Sequence, residues 1–216
     1  MESGNVYTKQ QRIAELAKQM AKLRFTSLAY HIDMAWLQEA YRRTRKDGAA
    51  GVDEVTVEQY EQDLDNNLRR LLERFKSGSY YAPPVKRVYI PKEVGGKPER
   101  PIGIPTLEDK VLQRAIVMVL GPLYEQDFCE FSYGFRPGRS AHDALEALWH
   151  AIMRMGGSCW VLEVDIKSYF DTVRHKRLRE MYKQRVGDGV INFVIVFSQQ
   201  RDARRVSEVL PKRFGR

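Results

Sequence analysis

VLEVDIKSYFD, Val161 to Asp171, closes an apolar run with a carboxylate and places an aromatic five residues after it. Trp160, Val161, Leu162 and Val164 predict a strand buried in a sheet, with Asp165 emerging at its exposed end. An ionised carboxylate in that position can hold Mg²⁺. The pattern also fits an ordinary buried strand whose aspartate caps the next helix. The sequence on either side weighs against that plainer reading.

Upstream lie KDGAAGVDEVT (Lys46 to Thr56), KRVYIPKEVGGKPERPIGIPTLEDKVLQ (Lys86 to Gln113) and FSYGFRPGRSAHDAL (Phe131 to Leu145). Together with the Asp165 segment these resemble the reverse transcriptases encoded by bacterial group II introns. The resemblance implies an α+β chain with N-terminal helices and small antiparallel sheets. It divides the chain into a helical extension at 1–46, fingers at 47–157 and an incomplete palm at 158–216. It also implies nucleic-acid partners, either group II intron or template RNA, or a primer-template duplex.

Site residues follow from the same resemblance. Asp165 would be a catalytic aspartate and metal ligand for Mg²⁺, and Phe170 would lie beside the sugar of an incoming nucleotide. Lys97 and Arg100, after the Gly95-Gly96 turn, resemble the pair that grips the triphosphate. Two residues separate them where the family commonly has one. Arg suits phosphate because its planar fork donates two hydrogen bonds, whereas Lys acts as a point charge. The same positions also fit plain exposed charge on a hairpin. Tyr133, Phe135, Arg136 and Arg139 mix aromatic rings with cations around a Pro-Gly turn, a combination suited to stacking on bases and pairing with phosphate. With Lys86 and Arg87 they form the expected template surface.

The resemblance resumes at Phe193, where FVIVFSQQRDARRVSEVLPKRFGR looks like the strand and helix that follow the family's Tyr-Ala-Asp-Asp turn. No Asp-Asp pair and no Pro-Gln-Gly occurs in the chain. An internal deletion with its junction near 192/193 is therefore expected, and the family would also continue past Arg216. Polymerisation needs two metal ions held by several carboxylates. Glu163 and Asp171 are poor substitutes, the first lying ~7 Å along the strand and the second reading as a helix N-cap. The leading expectation is an RNA-binding fragment that cannot polymerise as given. The alternatives are an active RNA-directed DNA polymerase if the missing block exists in the gene, and a splicing maturase acting by binding alone.

The junction has a topological consequence. One helix, expected at 173–186, would join the strand at 161–164 to a strand at 193–197, and such a connection normally gives parallel pairing. Antiparallel pairing would require that helix to unravel in part, and otherwise the Phe193 segment must leave the sheet. The 187–200 region is expected to open more readily than 161–164.

Thirty-six basic against 28 acidic residues give a net charge of +8, which suits a polyanionic partner and equally a merely basic protein. Two cysteines, Cys129 and Cys159, build neither a disulfide framework nor a zinc site, and they fit a reducing cytoplasm. MESGNVYTKQQR has no apolar signal-peptide core, and no apolar run nears the ~20 residues that span a bilayer. Helices are expected at 6–24 and 33–46, from Thr56 (capping box with Gln59), from Thr106 and from Ser140 (with Asp143). Strands at 85–91 and 102–105 make a hairpin. His142 and His175 read as structural, and oligomeric state is not legible.

Overall fold

The computed structural model describes residues 3–91, 99–156, 159–167 and 169–195. Helix α1 (Ser3–Gln19) and a short 3₁₀ turn (Leu28–His31) lead to α2 (Met34–Arg43). Next come α3 (Val57–Glu61) and α4 (Leu64–Lys76), the strands β1 (Lys86–Pro91) and β2 (Glu99–Ile104), and α5 (Leu107–Tyr124). Helices α6 (Ala141–Arg154), α7 (Tyr169–Thr172) and α8 (His175–Lys183) follow, and residues 189–195 are again helical. The mixed α and β content, with one small antiparallel sheet among the described residues, agrees with the expected α+β class.

Helix α5 is the centre of the packing. Val111, Leu112, Ala115, Val119 and Leu123 are buried, and α1 and α2 both rest on it. Trp36 of α2 is fully buried and donates its indole N–H to the Ala115 carbonyl at 3.1 Å, so the largest ring in the core is also hydrogen-bonded. Leu68, Leu71 and Phe75 add one face of α4. Pro122 sits inside α5 two residues from its end, where the helix has little left to lose.

Caps set several helix starts. Asp33 accepts from Trp36 N–H at 2.9 Å, and Thr56–Gln59 and Ser140–Asp143 form the two expected capping boxes. Thr106 caps α5 through Asp109 N–H at 3.3 Å, but the buried Asp109 carboxylate turns elsewhere, accepting from Tyr80 Oη at 3.0 Å and Gln113 Nε2 at 2.7 Å. Gly51 anchors the 46–56 loop to this helix start: a Cβ there would lie 2.6 Å from Thr106 Cα, so no other residue fits without a backbone shift.

A second fastening joins distant parts of the chain. Arg185 donates to the carbonyls of Met20 (3.2 Å), Ala21 (2.7 Å) and Leu23 (3.0 Å) and to Asp127 (2.9 Å). Phe25 and Val186 form a parallel bridge, and Asp188 accepts from the N–H groups of Ala29, Val190 and Ile191 at 2.8–3.1 Å. That carboxylate caps the helical residues 189–195, which bury Ile191 and Val194 in the core.

Several expectations about the later chain are overturned. Trp160 to Val164 is not a strand: residues 159–166 carry no regular structure, and Trp160, Leu162 and Val164 are exposed. A strand needs a neighbour for its N–H and C=O groups, and among the described residues only β1 and β2 form a sheet. Residues 193–195 are helical rather than extended, and with no strand at 161–164 to pair with, none of the three outcomes arises; residues 196 and 197 lie outside the described residues. Burial runs against the expected order of opening, since Val194 is buried while Val161, Leu162 and Val164 are exposed. Asp171 lies inside α7 and is not the N-cap of α8, a position held by Arg174 with no side-chain cap bond. No helix among the described residues is long and apolar enough to cross a membrane.

Candidate nucleic-acid interface

Strands β1 and β2 pair antiparallel with Lys86 opposite Ile104, Arg87 opposite Gly103 and Ile90 opposite Arg100. The expected hairpin is therefore present, with Lys86 and Arg87 at its base. Lys97 lies outside the described residues.

Beneath the hairpin runs an open groove of about 800 Å³. Ile90 and Ile102 line it from the sheet, and Lys110, Arg114 and Val117 line it from α5, with Arg45 added by the preceding loop. Positions 110, 114 and 117 share one helix face by their spacing of four and three. Lys110 Nζ reaches the Ala49 carbonyl at 3.0 Å, and Arg45 pairs with Asp47 at 2.7 Å, which holds both cations at the groove wall. Apolar and cationic groups interleaved in this way can cover sugars or bases while meeting phosphates. Sequence reasoning missed Arg45, Lys110 and Arg114. The available signal was the i, i+4 basic pair on a helix read only for its apolar positions.

The loop after α5 holds the remaining expected contacts and gives them different duties. Arg136 is only 7% exposed: it pairs with Glu125 at 2.5 Å and donates to the carbonyls of Cys129 and Ser132, both at 2.8 Å. Its guanidinium braces the loop from inside. Arg139 is exposed, donates to the Glu130 carbonyl at 3.0 Å and lies over the Tyr133 ring, 5.4 Å from its centre. Phe135 is fully exposed at φ +58°, an uncommon backbone state for a bulky residue, so the loop holds this ring in solvent at some cost. Tyr133, Phe135 and Arg139 are thus brought together on one loop.

Asp165 is not brought to any of these groups by a sheet. It is exposed in the irregular segment 159–166, with Glu163 also exposed nearby, and Phe170 belongs to α7. Among the described residues no group of three or more His, Cys, Asp or Glu side chains could hold a metal ion. Octahedral Mg²⁺ takes several converging oxygens, and an exposed carboxylate in an irregular segment does not by itself meet that requirement.

Comparison with known proteins places these features. A family model described as "Reverse transcriptase (RNA-dependent DNA polymerase)" matches residues 90–212, more than half of the chain. Protein YkfC of Escherichia coli (strain K12) is 41% identical over 158 residues, covering 71% of this chain and 41% of YkfC. Group II intron-encoded protein LtrA of Lactococcus lactis subsp. cremoris is 38% identical over 124 residues, 57% of this chain and 20% of LtrA. Nuclear intron maturase 1, mitochondrial, of Arabidopsis thaliana is 30% identical over 108 residues, 48% of this chain and 15% of the maturase. The chain spans less than half the length of each.

Proposed function

From its membership of the reverse transcriptase (RNA-dependent DNA polymerase) family, within the group II intron branch of reverse transcriptases and maturases, we propose that this chain binds RNA and does not polymerise as given. The groove lined by Arg45, Lys110 and Arg114 with Ile90, Ile102 and Val117 is the observation that carries the reading. Phosphate neutralisation dominates the affinity of such surfaces, and the exposed Arg139 and Phe135 with the half-buried Tyr133 extend this one.

Polymerase inactivity rests on chemistry. When bound, two Mg²⁺ ions activate the primer hydroxyl and stabilise the phosphoryl transfer, and they need more than one positioned carboxylate. Asp165 is the one residue here that matches a catalytic aspartate of the family, and the chain has no Asp-Asp pair. The family match runs over residues 90–212, across the proposed junction, and the internal shortening is inferred from the sequence, which lacks both Asp-Asp and Pro-Gln-Gly. Arg100 and Phe170 keep their assignments to the nucleotide within this proposal.

Filter binding of a structured RNA across a salt series tests the first part. Affinity falls steeply with salt, and Arg114→Ala with Arg139→Ala weakens binding and flattens the slope. Binding indifferent to salt and to both substitutions refutes the surface. Primer extension with Mg²⁺ or Mn²⁺ tests the second part: no product is expected, and synthesis abolished by Asp165→Ala overturns it. A maturase role is favoured by the named intron maturases among the relatives and needs no metal site. Splicing of an intron RNA with and without the chain tests that reading.

A further inference from the structure

The basic groove beneath the hairpin shares Arg114 and Val117 with a neighbouring cleft of about 480 Å³ that is differently made. Ala14 of α1, Met118 and Pro122 of α5 and Pro137 of the following loop give it apolar walls. Gln10 and Glu125 also line it, and each is fixed in place by another group. Pro122 has no N–H for the Met118 carbonyl one turn back, so Gln10 Nε2 donates there instead, at 2.8 Å. That bond leaves Gln10 Oε1 as a held acceptor. Glu125 receives both N–H bonds of Arg136 on one oxygen, and its second oxygen has no partner among the described residues.

Gly121 supplies an independent observation. Glycine weakens a helix relative to alanine, and a Cβ at this position of α5 would meet no atom within 4 Å, so the packing of the chain does not call for it. Gly121 lines the cleft, and the open space beside it belongs to that cleft. Bare backbone of this kind lets a flat ligand lie directly against the helix.

We propose that the cleft takes one unstacked nucleobase of a bound RNA, a base that carries an exocyclic amino group. The source of the base rests on the RNA-binding reading above. Its ring lies among the apolar walls, against the bare turn at Gly121. The exocyclic amine donates to Glu125 and Gln10, the two acceptors held in place, whereas uracil has no such group. Neighbouring phosphates stay with Arg114 in the groove. Sequence-selective RNA binding works on splayed bases that are covered by side chains and read along their edges, so groove and cleft divide affinity from selectivity.

Adenosine, cytidine, guanosine and uridine monophosphates, titrated separately into the isotopically labelled full chain, test the cleft directly through the amide resonances of Val117, Gly121 and Gln126. Saturable shifts are expected, with the uridine nucleotide about tenfold weaker than the tightest of the other three, and ribose phosphate, which has no base, gives none. Gly121→Leu lays a side chain over the 117–118 turn, leaves the buried face of α5 untouched and abolishes the shifts. Gly121→Ala, a better helix residue, keeps the fold and weakens binding less. Single-stranded RNA binds Gly121→Leu severalfold more weakly with its salt slope kept, while an RNA duplex binds as before. Nucleotide shifts in a chain that binds no RNA would overturn the RNA reading and leave a mononucleotide site. Three results overturn the cleft itself: no saturation with any nucleotide, equal shifts with ribose phosphate or the uridine nucleotide, or Gly121→Leu binding as tightly as the unaltered chain.

Discussion

Helix α5 and the span from α6 to α8 are both rich in large apolar residues, yet they meet opposite fates. Nine residues of α5 are buried, while α6 and α8 bury none. Leu145, Leu148, Trp149 and Met153 of α6 and Trp160, Leu162 and Val164 beyond it stay exposed. Apolar side chains give a segment the capacity to be buried, and neighbours decide whether the capacity is used. Helix α5 has α1 and α2 against it, and the later span has no comparable partner among the described residues. An apolar surface of that kind is an association hazard in a free chain.

The contrast can be broken most sharply at two tryptophans. Trp36→Ala should destabilise by about 4 kcal/mol, the usual cost of emptying a large aromatic site in a core. Urea unfolding followed by circular dichroism measures it, and a loss below 1 kcal/mol would mean that α2 and α5 are not the stable half.

Asp188→Ala comes next, at about 3 kcal/mol, because three backbone N–H groups lose their acceptor together. Hydrogen exchange should quicken at residues 189–195 and at Ala29 while the middle of α5 stays protected. Uniform quickening everywhere would dissolve the distinction between the core and the clasp formed by Arg185 and Asp188.

A smaller effect is expected from pH. Arg42 and Arg43 hold the Glu39 carboxyl down at about 2, below its ordinary 4.5. Since the folded state binds this proton less readily than the unfolded one, the stabilisation is complete above about pH 4.5 and disappears as pH falls toward 2. Urea midpoints between pH 5 and pH 2.5 should fall less in Glu39→Gln than in the unaltered chain. Parallel curves would remove Glu39 from the account.

The smallest effect completes the pair with Trp36. Trp160→Ala should change stability by no more than about 0.5 kcal/mol, since its ring is fully exposed. Its fluorescence should also report water, unlike that of Trp36. A large loss would place the 159–166 segment in a sheet after all.

How much the sequence disclosed follows the same division. Capping boxes at Thr56 and Ser140 and the hairpin around Gly95-Gly96 are local signals, and the helices and strands they predict are present. The runs at 160–164 and 193–197 were read as strands from apolar, β-branched composition. Strand formation depends on a partner elsewhere, and a short apolar run does not distinguish a strand from a buried helix. The clasp was missed because Arg185 and Asp188 look like ordinary polar residues around Gly187, although an aspartate just before Val190 and Ile191 was an available capping signal. Of the expected template surface, Arg139, Tyr133 and Phe135 lie together on one loop, while the bracing role of Arg136 depends on Glu125, which no spacing rule connects to it.

The clasp also imposes an order in time. The carbonyls of Ala21 and Leu23 and the amide of Ala29 find their partners in Arg185 and Asp188. At a synthesis rate of ~5–20 residues per second, those groups wait roughly 10–30 s on the ribosome for the residues that satisfy them. Through that interval the carbonyls of Ala21 and Leu23 are left to water, and only local backbone bonds hold the end of α1. The first helix to be made is therefore among the last to be finished, and a nascent chain arrested before residue 185 would leave the end of α1 open to proteases and chaperones.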